Sequence, residues 1–484
     1  MEWQFVENGP ALLAAAFFLY WLAVLVVLVN DQRDPTKTLA WLVLLSFLPL
    51  FGLALYYFFG RNWRKIAEQR GLHERHRAMA DPTMRAVYDR YADMADAGRN
   101  WAEERGYTRL VQLIERTEST PPLPACDVRI LPSGAEKFAL LKEDLAQARE
   151  TINIQYFIWE RDRLTAELCA ILMERLRSGV EVRMLNDFIG NLPYRKTELN
   201  RLAAAGAKVR FDVRQLNRAN YRNHRKIVVI DGVRGYTGGI NVGQEYIDGG
   251  RRFPSWRDTH VRFCGPAVAE LQKLFALRWS ETSRENLFSP RFFPESYPMP
   301  ESCVPVQVTA TSVEDKWQTA RRAHVLAMGH ARKRIWIQSP YFVPDEQIYE
   351  TMVNAALAGV DVRLMMTGLP DKRTAWYAAQ TYFGPLLEAG GRIYYYMQGF
   401  LHAKTMTIDG NLLCIGTMNI DMRSLELHKE LMVWFLNDDL ARRHDAIFEQ
   451  DLESCEEYTP ARLRSLSKLA AFRNSAMRLA SNLL

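Results

Sequence analysis

The sequence has only six cysteines in 484 residues, and none of them forms a C-x-x-C pair. It also has no cluster of cysteines with histidines, which argues against structural zinc and against a dense disulfide framework. Several cysteines lie within apolar strand or helix patterns, as buried thiols do. We therefore expect free thiols in a reducing compartment and no metal site. The cysteines are Cys126, Cys169, Cys264, Cys303, Cys414 and Cys455.

A strong excess of charge of either sign is also missing. The chain carries 62 lysines and arginines against 56 aspartates and glutamates, which gives a formal net charge of +6. So mild an excess suits an anionic membrane surface or an anionic substrate, but it is common in proteins that bind neither. The hydrophobic fraction of 48% allows large cores in two or three domains.

Charged residues are absent from two long runs near the N-terminus, residues 11–29 and 39–59. Each run has roughly the 20 residues with which a helix spans a bilayer. A cleaved signal peptide is not indicated, because Glu2 and Glu7 precede the first run where a signal peptide has basic residues. Basic residues are more frequent after the second run than between the runs, which predicts a cytoplasmic flank. We therefore expect a hairpin of two transmembrane helices, with the N-terminus and the chain after the second helix in the cytoplasm and the loop between the helices on the far side.

A pattern with the spacing H-x-K-x4-D occurs twice, and each copy is followed by a glycine and an asparagine. The two copies supply His224, Lys226, Asp231 and Asn241, and His402, Lys404, Asp409 and Asn419. Alternate residues of a strand point to the same side, so the histidine and lysine of each copy can face one point. A histidine can attack phosphorus or transfer a proton near neutral pH, and a lysine can hold a phosphate. Two copies at matched positions predict one shared site in which one histidine attacks and the other protonates the leaving oxygen.

Strand and helix patterns recur around the two motifs. The order TINIQYFIW, AELCAILMERLRSGV, EVRML returns as RIWIQSPYFV, YETMVNAALAGV, DVRLMM. Strands that alternate with helices indicate βαβ units and largely parallel sheets. We therefore predict an α/β fold with two pseudo-symmetric domains and the active site at their interface.

These patterns divide the chain into segments. We expect two transmembrane helices in residues 1–60, a helical connector in 61–124, a first domain in 125–288, a linker in 289–305, a second domain in 306–460 and a basic amphipathic helix in 461–484. Such a C-terminal helix can lie on a membrane or pack on the second domain, and the sequence leaves both possibilities open.

The doubled motif resembles the HKD motifs of the phospholipase D superfamily. The stretch GTMNIDMRSLELHKE is similar to the G-T-x-N-x-D-x-R-S stretch of bacterial cardiolipin synthases, and SWRDTHVRFCGPAV resembles their W-R-D-x-H-x-x-x-x-G-P-x-V stretch. The stretches QYFIW and QSPYFVPD match as well. His428 is a departure, since the family usually has asparagine two residues before the acid.

The resemblance implies two phospholipase D-like βαβ sandwich domains and a covalent mechanism that needs neither metal nor cofactor. By analogy His224 is the nucleophile and His402 the general acid, although the sequence alone does not separate these roles. Lys226, Lys404, Asn241 and Asn419 would bind phosphate oxygens, and Asp231 and Asp409 would orient groups of the site from behind. Further expected site residues are Tyr156, Tyr341, Ser424, Asp258 and Glu430. Asp258 and Glu430 are either paired acids of the site or ordinary carboxylates at strand edges, and the sequence leaves both alternatives open.

The implied reaction transfers a phosphatidyl group between two phosphatidylglycerol molecules and gives cardiolipin and glycerol. Hydrolysis of phospholipid headgroups, or phosphatidylethanolamine as donor, would use the same motifs. A nuclease of the superfamily fits poorly with the N-terminal runs, and a non-catalytic scaffold fits poorly with two intact motifs. The expected partners are these lipids and the bilayer, with no nucleic acid. The expected location is the bacterial inner membrane, multi-pass, with the catalytic part on the cytoplasmic side.

Overall fold

The structure is a computed structural model that describes residues 14, 15, 17–22, 24–26, 35–59, 63–191, 198–212, 221–300 and 302–481. The described residues up to 69 form one compact unit, and those from 70 onwards form a second. Three helices precede the first strand of the second unit. They are α3 (Trp63–Arg90), which begins in the first unit, α4 (Ala92–Arg105) and α5 (Thr108–Glu118).

The first unit is helical in its described residues. Two of its helices are α1 (Pro35–Phe47) and α2 (Pro49–Phe59). The expectation of one continuous helix over residues 39–59 is wrong, because Pro49 has no backbone N–H and starts a new helix. The described helices include none that is both long and apolar enough for a bilayer span. The first apolar run lies partly outside the described residues.

The second unit contains two sets of strands and helices, one from each repeat. The first set is β1 (Leu123–Leu131), α6 (Gly134–Ala146), β2 (Thr151–Tyr156), α7 (Arg163–Arg177), β3 (Glu181–Asp187), α8 (Glu198–Ala204), β4 (Lys208–Asp212), β5 (Ile227–Ile230), β6 (Arg234–Gly238), α9 (Glu245–Asp248), β7 (Trp256–Arg257), β8 (His260–Cys264) and α10 (Val268–Ser283).

The second set begins with β9 (Cys303–Thr311), α11 (Thr319–Gly329), β10 (Arg334–Gln338), β11 (Phe342–Val343), α12 (Glu346–Leu357), β12 (Asp361–Thr367), α13 (Arg373–Ala379), α14 (Phe383–Glu388), β13 (Arg392–Tyr396) and β14 (Phe400–Leu401). It continues with β15 (Thr405–Ile408), β16 (Leu412–Gly416), β17 (Ile420–Asp421), α15 (Met422–Glu426), β18 (Glu430–Leu436), α16 (Asp438–Leu452), β19 (Cys455–Glu457), α17 (Pro460–Arg464) and α18 (Lys468–Ser481).

Fifteen strands of the described residues join into one sheet whose order is nearly symmetric about its middle. From the central antiparallel pair β1–β9, the sheet continues through β8, β6, β5, β2, β3 and β4 on one side. On the other side it continues through β18, β16, β15, β10, β12 and β13, with β19 at the edge. Equivalent strands of the two repeats occupy equivalent places, so the α/β fold with two pseudo-symmetric halves is confirmed.

The expectation of largely parallel pairing is wrong. Within this sheet the parallel pairs are β2–β3, β3–β4, β10–β12 and β12–β13. The motif strands β5 and β15 pair antiparallel on both sides. Short turns link β5 to β6 and β15 to β16, and so short a connection can join only antiparallel strands.

Strand β5 is buried on both faces, which explains its continuous β-branched sequence. Val228 and Ile230 pack into the core beneath α6 and α7, whereas Ile227 and Val229 pack into a second core with α10. That second core also takes residues from β16 and β18, so apolar packing crosses from one repeat to the other. A sheet covered by helices on both faces needs such uniformly apolar strands.

Cys126 and Cys303 lie opposite each other in the β1–β9 pair and form a disulfide. The expectation of free thiols is therefore wrong for these two residues, and the expected reducing compartment loses its support. Cys169, Cys264 and Cys414 are buried free thiols, as expected. The sequence could not indicate the pair, since its members are 177 residues apart.

Asp231 and Asp409 lie at the far ends of β5 and β15 from the histidines, with positive φ angles of 51° and 53°. The Asp231 carboxylate accepts hydrogen bonds from the backbone N–H groups of residues 149–151, where β2 begins. Asp409 accepts the equivalent hydrogen bonds from residues 332–334, where β10 begins. Their contacts thus do not support the expected place in the active site, because a four-residue strand separates each aspartate from its histidine and lysine.

We expect Asp231→Asn and Asp409→Asn to destabilise the protein while the folded fraction keeps its activity. Each change weakens three charge-assisted hydrogen bonds, which should lower the free energy of unfolding by about 1–2 kcal/mol. Asparagine tolerates the positive φ, so the backbone need not move. Thermal unfolding in detergent and activity per folded molecule would be measured together. Near-complete loss of activity with an unchanged unfolding temperature would show instead that these residues act in the active site.

Candidate active site

Each motif histidine is held by the backbone of the other repeat. The His224 N–H donates to the Lys429 carbonyl at 3.0 Å, and the His402 N–H donates to the Arg257 carbonyl at 2.7 Å. The second contact follows from the parallel pairing of β7 with β14, which sets Trp256 beside Phe400. The two motifs therefore meet at one place, as the sequence predicted.

The imidazoles are paired with carboxylates across the repeats. His224 Nδ1 lies 2.9 Å and 3.0 Å from the two oxygens of Glu430, and His402 Nδ1 lies 2.7 Å from Asp258 Oδ2. An ionised carboxylate can only accept, so each Nδ1 donates and each Nε2 keeps its lone pair for a reactant. Asp258 and Glu430 thus contact the motif histidines directly, which favours their assignment to the site over ordinary strand-edge carboxylates.

Both carboxylates are buried and further hydrogen-bonded. The Thr417 hydroxyl donates to Glu430 Oε2 at 2.6 Å, and the Thr259 N–H donates to Asp258 Oδ1 at 2.7 Å. Gly239 makes room for Asp258, because a Cβ at that position would lie 2.0 Å from Oδ1. The glycine that follows the first motif is therefore a requirement of close packing.

The motif lysines lie directly beneath the histidines and are buried. Lys226 Nζ donates to the His224 carbonyl at 2.7 Å, and Lys404 Nζ donates to the His402 carbonyl. Burial lowers the pKa of Lys226 to about 7 and that of Lys404 to about 8, although the site carboxylates oppose the shift. A bound anion would favour the charged form of both ammonium groups.

Burial and the neighbouring lysines lower the pKa of both motif histidines well below the usual value. Burial also raises the pKa of Asp258 to about 6, against the opposing effect of Lys404. At neutral pH the histidines are therefore neutral and the Asp258 carboxylate is ionised. A neutral imidazole with a free Nε2 is the form that can attack phosphorus.

Several expected substrate-binding groups are buried with unused hydrogen-bonding capacity. The side-chain oxygens of Asn241, Asn419 and Ser424 have no protein partner within the described part of the chain. The Asn241 amide donates to the Tyr246 hydroxyl at 2.8 Å, and the Tyr246 ring centre lies 6.5 Å from that of His402. The Asn241 side chain is thereby linked to the site on the His402 side.

The two expected tyrosines differ. Tyr341 packs with Phe400, whose ring is stacked 5.7 Å from His402, and its hydroxyl donates to Asp371 at 2.6 Å. Tyr156 is instead a buried core residue, and Lys137 Nζ donates to its hydroxyl at 2.8 Å. No ring contact or hydrogen bond joins Tyr156 to either histidine in the described structure, so its expected contact with substrate is not supported.

Sequence reasoning missed the aromatic walls of the site. The Phe157 ring centre lies 4.9 Å from that of His224, and the Trp256 ring centre lies 5.8 Å from that of His402. Both residues belong to stretches that resemble the family, QYFIW and SWRDTH. Their position in these stretches could have indicated that they line the site. Such walls exclude water from the imidazoles and contribute to their lowered pKa values.

His428 also belongs to the site. Its Nδ1 lies 3.8 Å from Glu430 Oε1, and its ring centre lies 6.0 Å from that of His224. Burial lowers its pKa to about 4, and neither ring nitrogen has a hydrogen-bond partner among the residues that the structure describes. The departure from the family pattern thus places a third neutral imidazole beside the first histidine.

The site can therefore offer two imidazole Nε2 atoms and two lysines to a phosphate group. No cluster of three or more His, Cys, Asp or Glu side chains suited to a metal ion occurs among the described residues.

Comparison with known proteins places the chain in a family. Residues 141–251 and 325–452 match the family described as cardiolipin synthase, PLD-like domain, and residues 18–61 match the phospholipase D-nuclease N-terminal family. The solved structure of a phosphatidylserine synthase from Haemophilus influenzae Rd KW20 matches with a TM-score of 0.56 at 13% identity, covering 78% of this chain and 100% of that one. This likeness shows the fold alone.

Two curated relatives extend the similarity over most of the sequence. Cardiolipin synthase 2 of Bacillus anthracis is 36% identical over 437 residues, which cover 89% of this chain and 84% of that protein. The major cardiolipin synthase of Bacillus subtilis (strain 168) is 32% identical over 457 residues, which cover 93% and 94%. Given the extent of this similarity and the paired motifs, the chain belongs to the cardiolipin synthase family of phospholipase D-like proteins.

Proposed function

We propose that this protein is a cardiolipin synthase that transfers a phosphatidyl group between two phosphatidylglycerol molecules, with cardiolipin and glycerol as products. The observation that carries the proposal is the crossed pairing of His224 with Glu430 and of His402 with Asp258. It provides one nucleophile and one proton carrier in a single buried site. The relatives named as cardiolipin synthases supply the substrate class.

The first half-reaction forms a phosphohistidine. Nε2 of His224 attacks the phosphorus of the first phosphatidylglycerol, and the bond from phosphorus to the glycerol headgroup oxygen breaks. His402, protonated in the presence of the anionic phosphodiester, gives its proton to that oxygen, and glycerol leaves. Lys226 and Lys404 stabilise the charge on the non-bridging oxygens, together with the Asn241 and Asn419 side chains.

The second half-reaction consumes the intermediate. His402, now neutral, takes the proton from a headgroup hydroxyl of the second phosphatidylglycerol. The resulting oxygen attacks phosphorus, the bond between phosphorus and His224 breaks, and cardiolipin forms. Asp258 and Glu430 act as positioning residues, since each holds the Nδ1 proton and thereby keeps Nε2 directed at the substrate.

The choice of an alcohol rather than water depends on holding the second lipid close to the intermediate. The two uncharged N-terminal runs, the basic residues after them and the N-terminal family match support a membrane anchor. We place the protein in the bacterial inner membrane with residues 125–288 and 306–460, the two catalytic domains, on the cytoplasmic side. An anchored site meets a second lipid at high effective concentration.

Substitution tests the roles of the two motif histidines. His224→Ala and His402→Ala should each lower turnover by roughly 10³-fold or more, because one removes the nucleophile and the other the proton carrier. An acid-labile, base-stable phosphoenzyme should form on His224 when labelled lipid is quenched during turnover. His330→Ala, outside the site, is the matched control and should keep its activity. Near-normal activity in either motif variant, or an adduct on His402, would refute the assigned roles.

A second prediction separates transfer from hydrolysis. Reconstituted with phosphatidylglycerol alone, the protein should release cardiolipin and glycerol in equal amounts, as measured by lipid chromatography and a glycerol assay. Added glycerol should drive the reaction backward, since it exchanges one phosphodiester for another. Phosphatidic acid as the main product would identify a hydrolase. Cardiolipin that forms only after phosphatidylethanolamine is added would keep the reaction class but change the donor.

A third prediction follows from the shifted pKa values. Because the pKa of Asp258 is raised to about 6, its carboxyl becomes protonated below that pH and stops accepting the His402 proton. On the alkaline side Lys226 and Lys404 lose their charge from about 7 and about 8 in the free enzyme. We expect a bell-shaped profile of kcat/KM with a short-chain phosphatidylglycerol, whose limbs belong to the coupled cluster. A flat profile from pH 5 to pH 6.5, with unfolding excluded by circular dichroism, would contradict it.

A further inference from the structure

Helix α18 has one face fixed to the second half of the protein. The Asn474 amide donates to Gln380 Oε1 at 3.0 Å, and the Arg473 guanidinium lies 3.6 Å from the centre of the Tyr377 ring. Met477 packs against the core of the second repeat. Of the two arrangements that the sequence left open, packing on the domain is therefore present.

The opposite face of α18 exposes large apolar side chains. Leu469, Phe472 and Leu479 are 78%, 72% and 83% exposed, more than any other large apolar side chain described in the second unit. Their spacing of three and seven residues sets them along one side of the helix. A helix on a soluble surface shows the reverse pattern, with its apolar side inward and its polar side in water. This face is therefore suited to contact with an apolar partner.

The charge around this face points to the kind of partner. Residues 461–484 contain arginines and one lysine and no acidic residue. Arg464 and Lys468, at the start of the helix, are exposed. Apolar side chains bordered by basic groups match the interface of a bilayer that contains anionic phospholipid.

We propose that α18 docks on the surface of an anionic bilayer, with Leu469, Phe472 and Leu479 inserted among the lipids. The helix packs along α13, which begins immediately after Lys372. The Lys372 ammonium lies 5.0 Å from the centre of the Tyr341 ring, on the His402 side of the site. Docking through α18 therefore holds this wall of the site next to the membrane that supplies the lipids. The proposed docking of α18 does not depend on which acceptor the enzyme uses.

Depth-dependent quenching in the full chain tests the docking. Phe472→Cys would be labelled with an environment-sensitive fluorophore and placed in nanodiscs that hold one copy of the chain, with nitroxide-bearing acyl chains as quencher. Leu357→Cys is the matched control, because Leu357 is 68% exposed but belongs to α12, which is not part of the proposed face. The unsubstituted chain, labelled in parallel, gives the background from the native cysteines.

With phosphatidylglycerol in the nanodisc, the probe at 472 should be blue-shifted and quenched several-fold more than the probe at 357. Equal quenching at both positions, or none at 472, would overturn the proposal. Equal quenching at 472 in nanodiscs of phosphatidylcholine alone would overturn the assignment to an anionic surface. A blue shift without quenching would mean that protein covers the face, and a shift seen only with several copies per bilayer would identify a second copy as the occupant.

Activity gives a second readout. Phe472→Glu with Leu479→Glu should lower the rate on phosphatidylglycerol vesicles several-fold and leave the rate on a dispersed short-chain lipid unchanged. Leu357→Glu should change neither rate. An unchanged vesicle rate would overturn the docking. Absence of cardiolipin from the unsubstituted chain with either substrate would instead count against the proposed function, so the two failures are distinguishable.

Discussion

The two hydrogen bonds that join His224 to Glu430 and His402 to Asp258 are the contacts on which the site depends. Each crosses from one repeat to the other, so each motif histidine is paired with a carboxylate of the opposite repeat. The crossing follows from the backbone, because the chain before each histidine runs beside the chain before the opposite acid. A buried carboxylate left without its partner typically costs about 3–5 kcal/mol. The same contacts that direct the imidazoles therefore also stabilise the interface between the repeats.

Burial of several ionisable groups in one place makes the site responsive to its substrate. The lysines have lowered pKa values, the histidines stay neutral, and one carboxyl has a raised pKa. An anionic phosphodiester compensates the lysine charges and favours protonation of the second histidine. The lipid thus supplies the anion that balances these positive charges, which couples binding to activation.

A continuous sheet makes this geometry rigid. The central β1–β9 pair and the apolar packing of β5, β16 and β18 tie the halves into one core. Strand β5 contributes to this shared core and strand β15 to the core of the second half, so the histidines and lysines that precede them have little freedom. Helix α18 is attached to the periphery of the same unit, where its exposed face does not disturb the site.

The sequence by itself determined the two motifs, the repeated α/β order and the family, because these depend on spacing within short stretches. Alternation along a strand is local, so His224 and Lys226 could be assigned to one side without any tertiary structure. Tertiary structure alone decided which acid serves which histidine, since the partners are 206 and 144 residues apart. It also placed Asp231 and Asp409 away from the motif histidines, because a four-residue strand lies between the lysine and the aspartate of each motif. The disulfide and the antiparallel motif strands were decided in the same way, by which strands become neighbours in the assembled sheet.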